Sequence, residues 1–228
     1  MKTPGFLAAL WIILLKDLKS EARSKQTIAT MALFGLVLAF IFAFGFVADP
    51  MTNLKVMPGA LWGSLLFTGT LGVGRTFAQE SQEGAFAALV LSPAPRSAIL
   101  LAKVLMNFIL TLLVMVVVTP VLAVMLHVDL SGHAGIIALQ IALGSLAFAA
   151  VGTPLAVVAV NARFAEVLLP MVIFPMLTPV LIAGVKATGI VLGTTVGIEP
   201  WPWMHFMVAF IVFFGTMGLF LFDRMVTE

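Results

Sequence analysis

Six apolar runs, each near the twenty or so residues that a helix needs to cross about 30 Å of hydrocarbon, divide this chain. They cover residues 27–48, 57–74, 98–126, 134–160, 165–185 and 203–222. In lipid every backbone amide must be satisfied within its own segment, so such runs fold as helices. A mean hydropathy of +1.19 over 228 residues is more apolar surface than a soluble domain of this size buries. The expected fold is all-α: a polytopic membrane protein with six transmembrane helices. No internal repeat and no linker divides it, so residues 1–228 are read as one domain.

Six spans put both termini on one side, together with the 75–97 and 161–164 loops. Lys2, Lys16, Lys19, Arg23, Lys25, Arg75, Arg96, Lys103, Arg163 and Arg224 then share that side, ten of the twelve basic residues. Lys103 is taken as snorkelling from the start of its helix. Lys55 and Lys186 alone face the other way, and the bias in short loops makes the termini cytoplasmic. Trp62, Trp201 and Trp203 are expected at outer span ends, where amphipathic rings prefer the interface.

The N-terminus starts with Lys2 and about twelve apolar residues, as a signal peptide does, but charges follow where a cleavage site should lie, so it is expected to be retained. Twelve residues do not cross a bilayer. With Lys16, Lys19, Arg23 and Lys25 they suit a helix lying in the cytoplasmic interface, and the charges serve either topology or docking. Residues 187–198 are too short to cross and too apolar for a solvated loop, which favours a re-entrant or outer hairpin. Pro154, Pro170, Pro175 and Pro179 bend their helices, a feature common in membrane spans without any gating role.

Several chemistries are excluded. With no cysteine there is no disulfide, thiolate site or cysteine nucleophile, and His127, His133 and His205 lack metal-ligand spacing, so no metal and no catalytic group is assigned. The small basic excess belongs to cytoplasmic loops and implies no nucleic acid. Proton- or sodium-coupled carriers need ionisable groups at mid-membrane, whereas here the interior polar residues are chiefly Asn107, Gln140, Ser and Thr. No phosphate-cradling GxxxxGK[ST] loop is present, so any ATP is hydrolysed on another subunit.

One polar stretch stands out, GRTFAQESQEGAFAALVLSPAPR at residues 74–96. Gln79, Glu80, Gln82 and Glu83 gather on one side of a helix and Phe77, Ala78, Ser81 and Ala85 on the other, as in an interfacial helix. Gly84 interrupts it, and Ser92-Pro93-Ala94-Pro95 imposes a stiff extended turn. Such a helix, tied at both ends to spans, suits either a push from a soluble partner or an ordinary solvated loop.

Four pieces carry a resemblance: PGALWGSLLF (58–67), RTFAQESQEGAF (75–86), LSPAPRSAILLAKV (91–104) and KDLKSEARSKQ (16–26). Together, with the six spans in register, they resemble CcmB, the haem exporter B permease subunit of cytochrome c maturation. The resemblance implies an ABC-2-type permease domain over the whole chain, a cytoplasmic CcmA-like ATPase, CcmC-like and CcmD-like membrane partners and, indirectly, a periplasmic CcmE-like haem chaperone. It also implies a coupling helix between spans two and three, where Arg75, Phe77, Glu80, Glu83 and Gly84 match the family's Arg, aromatic, acidic, acidic and Gly positions. Gly74 and Ala87 depart from the pattern, which commonly has acids there.

Haem is then the handled or transported ligand, with no cofactor held stably by this chain and ATP on the partner. His205 beside Trp201 and Trp203 is a candidate haem contact, although Trp and Pro at an outer interface are ordinary anchors and the tryptophan-rich haem motif belongs to the CcmC partner. A homodimer within a larger complex in the bacterial inner membrane is expected, since ABC transporters present two ATP sites to two membrane halves. The alternatives are a permease of the same build exporting a lipid, glycan or drug, and a membrane scaffold that transports nothing.

Overall fold

The structure, a computed structural model, describes residues 5–45, 49–82, 92–159, 165–197 and 199–225. Its helices are α1 (Phe6–Ser24), α2 (Gln26–Gly45), α3 (Pro50–Gln82), α4 (Arg96–Met125), α5 (Ala134–Ala159), α6 (Ala165–Val191) and α7 (Trp201–Met225), with a 3-10 turn at Ser131–His133. Six of them, α2 to α7, are long and apolar enough to cross a membrane. The molecule is a multi-pass, all-helical membrane protein, with no strand among the described residues.

Three helices form the centre. α3 packs against α2, α4, α5 and α6; α4 also touches α1, α2, α5 and α7; and α5 also touches α6 and α7. Small side chains make the close approaches possible, as in membrane bundles where lipid offers no hydrophobic drive between helices. Gly72 accommodates Met31, and Gly69 accommodates Phe148. Exposed apolar residues cover the outside, among them Ile41 on α2, Val116 on α4 and Phe213 on α7.

The helix ends are closed by chain chemistry. α6 ends with Gly193 at φ 69°, where Thr194 N donates to the Gly189 carbonyl and Gly193 N to that of Ile190. This is the paired ending in which a left-handed residue recovers the last carbonyls, and glycine adopts it without a Cβ penalty. α4 ends the same way with His127 at φ 56°. Residues 187–191 are therefore the last turn of α6, not part of a hairpin, and Ala187, Thr188 and Gly189 are buried in the bundle. Helix packing supplies the apolar environment that the sequence reading assigned to a re-entrant segment.

Two more expectations are corrected. Trp62 is not at an interface: it is 1% exposed, and its indole lies in a slot between α5 and α6. A Cβ on Gly144 would fall 2.3 Å from Trp62 Cζ3, and one on Gly184 2.2 Å from Cε2. Trp62 Nε1 donates to Thr188 Oγ1 at 3.0 Å, and that hydroxyl donates to Gln140 Oε1 at 2.8 Å. Nor does Lys103 snorkel. It is 1% exposed, and its Nζ lies 2.7 Å from Asp17 Oδ2 on α1. An internal carboxylate satisfies the ammonium more closely than a reach to water would.

α1 earns its place through the same face. Ala9, Leu10, Ile13, Leu14, Asp17 and Glu21 are buried, while Leu7, Trp11 and Ile12 remain exposed. Glu21 Oε1 accepts Ile28 N at 2.9 Å, placing a carboxylate at the N-terminal turn of α2, where free amides and the helix dipole favour it. One turn earlier on the same face, Asp17 meets Lys103, so α1 ties α2 to α4.

Candidate coupling site

The stretch that sequence reading singled out begins as the end of α3. Nothing in residues 75–82 breaks a helix, and α3 runs unbroken to Gln82, 33 residues or roughly 50 Å at 1.5 Å per residue. That exceeds the hydrocarbon thickness by about 20 Å, so helix projects beyond the membrane. Arg75 is half-buried on this projecting end, and the backbone of Phe77 and Glu80 is helical. Glu83 and Gly84 lie outside the described residues. Where the chain is described again, Ala94 N donates to Ser92 Oγ at 3.4 Å, and Pro95, extended at φ −59° and ψ 129°, leads into α4. This is the stiff entry that the two prolines dictate.

A polar clasp anchors the base of this projection. Thr76 Oγ1 donates to the Gly72 carbonyl at 2.9 Å and approaches Asn107 Oδ1 on α4 at 3.3 Å. Asn107 Nδ2 donates to Thr153 Oγ1 on α5 at 3.1 Å. Asn107 and Thr153 are both fully buried. Three central helices thus meet at one amide, a few residues from the polar stretch at 79–82. In hydrocarbon such bonds are worth about 0.6–2 kcal/mol each, enough to hold a register without freezing it. In the sequence Asn107 is one interior polar group among several, and an amide in an otherwise apolar span is the signal that points to the clasp.

The three residues read as haem-contact candidates, Trp201, Trp203 and His205, all lie on the first turns of α7. Trp201 and His205 are exposed, while Trp203 is half-buried and packs against the core. Among the described residues, no group of three His, Cys, Asp or Glu side chains could hold a metal ion. Two turns hold shaped carboxylates. Asp49 accepts Thr52 N and the Thr52 hydroxyl, both at 2.9 Å, and Asp129 accepts Ser131 N at 2.8 Å. Both are held below the ordinary carboxylate range, Asp49 by the Thr52 backbone N–H and then its hydroxyl, Asp129 by the Ser131 backbone N–H. They serve as turn and helix caps.

Comparison with known proteins fits this architecture. The chain is 27% identical over 175 residues to "Heme exporter protein B" of Paracoccus denitrificans, covering 77% of this chain and 80% of the relative. It is 26% identical over 182 residues to the protein of the same name from Bradyrhizobium diazoefficiens, covering 80% and 82%. With "Heme exporter protein B" of Escherichia coli the identity is 29% over 101 residues, 44% of this chain and 46% of the relative. The model of the CcmB protein family matches residues 8–226, nearly the whole length with α2 to α7 entire, and the chain belongs to that family.

Proposed function

We propose that this chain is the non-catalytic permease subunit of an ABC-type complex that handles haem for c-type cytochrome biogenesis. The family match over residues 8–226 carries this reading, and the names of the relatives supply the cargo. Residues 1–228 form one ABC-2-type permease domain in the bacterial inner membrane, with both termini cytoplasmic, as the distribution of lysine and arginine favours. A CcmA-like ATPase docks at Arg75, Phe77, Glu80, Glu83 and Gly84, CcmC-like and CcmD-like proteins complete the membrane part, and a CcmE-like chaperone receives the haem. Two copies of the chain face the ATPase pair.

The unbroken α3 supports the coupling step. A helix is stiff along its axis, so a displacement at residues 79–82 is carried without a hinge to Thr76, and the Asn107 clasp passes it to α4 and α5. The test is removal of the gene, with affinity purification of the tagged chain from the complemented strain. The expected result is loss of covalently bound c-type haem while other haem proteins persist, and co-purification of an ATPase with haem-handling membrane proteins. Normal c-type cytochromes in the deletion strain would overturn the reading.

A further inference from the structure

A cavity of about 490 Å³ lies between the outer half of α4 and the start of α5. Its walls are almost wholly apolar, including Leu112, Val116 and Ala123 on one side and Ile137 and Ile141 on the other. From Leu112 to Val124 it follows α4 for twelve residues, about 18 Å. This is a long site, drawn out along the helix axis. It takes an extended chain better than a flat ring.

Its depth can be placed. If the Lys103–Asp17 pair marks the inner boundary of the hydrocarbon, about 20 residues of helix bring the outer boundary near Ala123. The cavity then opens at the head-group level, where Val128, Leu130 and Ser131 line it and where exposed His127 and His133 flank those residues in the chain. Thr119 sits about 6 Å below that level. There a lipid's ester carbonyls give way to its acyl chains.

Thr119 is the second observation. In this chain Thr30, Thr68, Thr70, Thr76, Thr178 and Thr216 each donate to the carbonyl four residues earlier. Thr119 does not. It is 7% exposed, lines the cavity, and its hydroxyl has no hydrogen-bond partner. Beside it, Pro120 has no N–H, which removes the donor that the Val116 carbonyl would otherwise meet. A buried hydroxyl without a partner costs free energy that a ligand with an acceptor at that depth would recover.

We propose that this cavity is a binding site for one glycerophospholipid of the outer leaflet. One acyl chain runs down the α4–α5 groove towards Leu112 and Ile141, an ester carbonyl accepts from the Thr119 hydroxyl, and the head group lies at the His127–His133 turn. The site is independent of what the complex transports. It would hold α4 and α5, two of the helices joined at the Asn107 clasp, at a fixed outer spacing.

The test is native mass spectrometry of the full-length chain purified in mild detergent, washed free of bulk lipid and offered a defined diacyl phospholipid. The expected result is one phospholipid retained per chain. Ala138→Phe, which fills the groove, should abolish retention, while Val212→Phe on the exposed face of α7 should leave it unchanged. Thr119→Val keeps the volume but not the hydroxyl and should weaken retention about fivefold, the factor that corresponds to a neutral hydrogen bond. An unchanged melting temperature in Thr119→Val shows that the loss is not unfolding. No retained lipid in the wild type, full retention in Ala138→Phe, or preferential retention of a quinone or free tetrapyrrole would each overturn the proposal.

Discussion

Lys103 Nζ sits 2.7 Å from Asp17 Oδ2, a pair of opposite charges that joins α1 to α4 where almost no water reaches either group. Burying two charges is costly, and their attraction offsets that cost only while both are present. Lys103→Met alone should therefore destabilise the protein, by at most about 3–5 kcal/mol, because it leaves the Asp17 carboxylate only its 3.0 Å pair with the exposed Lys16, whereas Lys103→Met combined with Asp17→Leu should recover most of the loss. Thermal unfolding of the four proteins in one detergent closes the cycle. A loss in the double variant equal to the sum of the two single losses would show that the two groups are not coupled.

This pair also shows where sequence reading stops. The spans are legible because twenty apolar residues have one stable form in lipid, and α6 ends six residues beyond the expected 185 because packing buries Ala187 and Thr188. Lys103 and Trp62 were misplaced for one reason: hydropathy records what a side chain prefers, not which helix lies beside it. Asp17 is 86 residues from Lys103, and Thr188 is 126 from Trp62. The charge pattern of residues 74–96 marks a polar stretch whose first part, to Gln82, is helical. The Asn107 clasp was not legible, since it takes three helices to make and each supplies a single ordinary polar residue.

The Trp62 slot gives a second prediction. The indole fits because Gly144 and Gly184 present bare backbone to it, and a rigid ring held by Thr188 has nowhere to move. Gly184→Val should cost about 1–3 kcal/mol or more through overpacking. Gly59→Ala is the comparison: nothing lies within 4 Å of its added Cβ, and alanine favours helix by up to about 1 kcal/mol. Melting temperatures should fall for the first and hold or rise for the second. Equal effects would mean that the slot does not position the ring.

The cap of α3 gives a pH dependence. Folding lowers the Asp49 pKa through the Thr52 backbone N–H and hydroxyl, so the folded state prefers the carboxylate. The stabilisation is present above the ordinary value of 3.8 and is lost as pH falls through the lowered one. Asn at this position still caps but does not titrate. The difference in melting temperature between wild type and Asp49→Asn should be constant near neutrality and shift in favour of Asn as pH falls past 3.8. A difference independent of pH across that range would remove the role given to the charge.

The last prediction concerns the projecting end of α3 and the residues that follow it. Glu80 and Glu83 are three apart in the sequence, a spacing that on a helix makes them neighbours, and in the proposed reading they offer adjacent negative charge to a docking ATPase. Interface charges of this kind orient docking, and reversing them introduces repulsion as well as removing attraction. Glu80→Lys with Glu83→Lys should leave the protein inserted and abundant, yet abolish ATPase co-purification and c-type cytochrome formation. Replacing Gly84 with valine should also impair docking by obstructing close approach, with both charges intact. Lys55→Glu with Lys186→Glu is the control, a double reversal at exposed positions near the opposite ends of α3 and α6. Thr76→Val adds a separate reading: it cuts the clasp without touching the docking residues, so the ATPase should still bind while cytochrome formation falls. If the charge-reversed protein held its ATPase and matured cytochromes at the normal level, the coupling role of this segment would be wrong. If Thr76→Val had no effect while charge reversal did, docking would stand and transmission through Asn107 would fall.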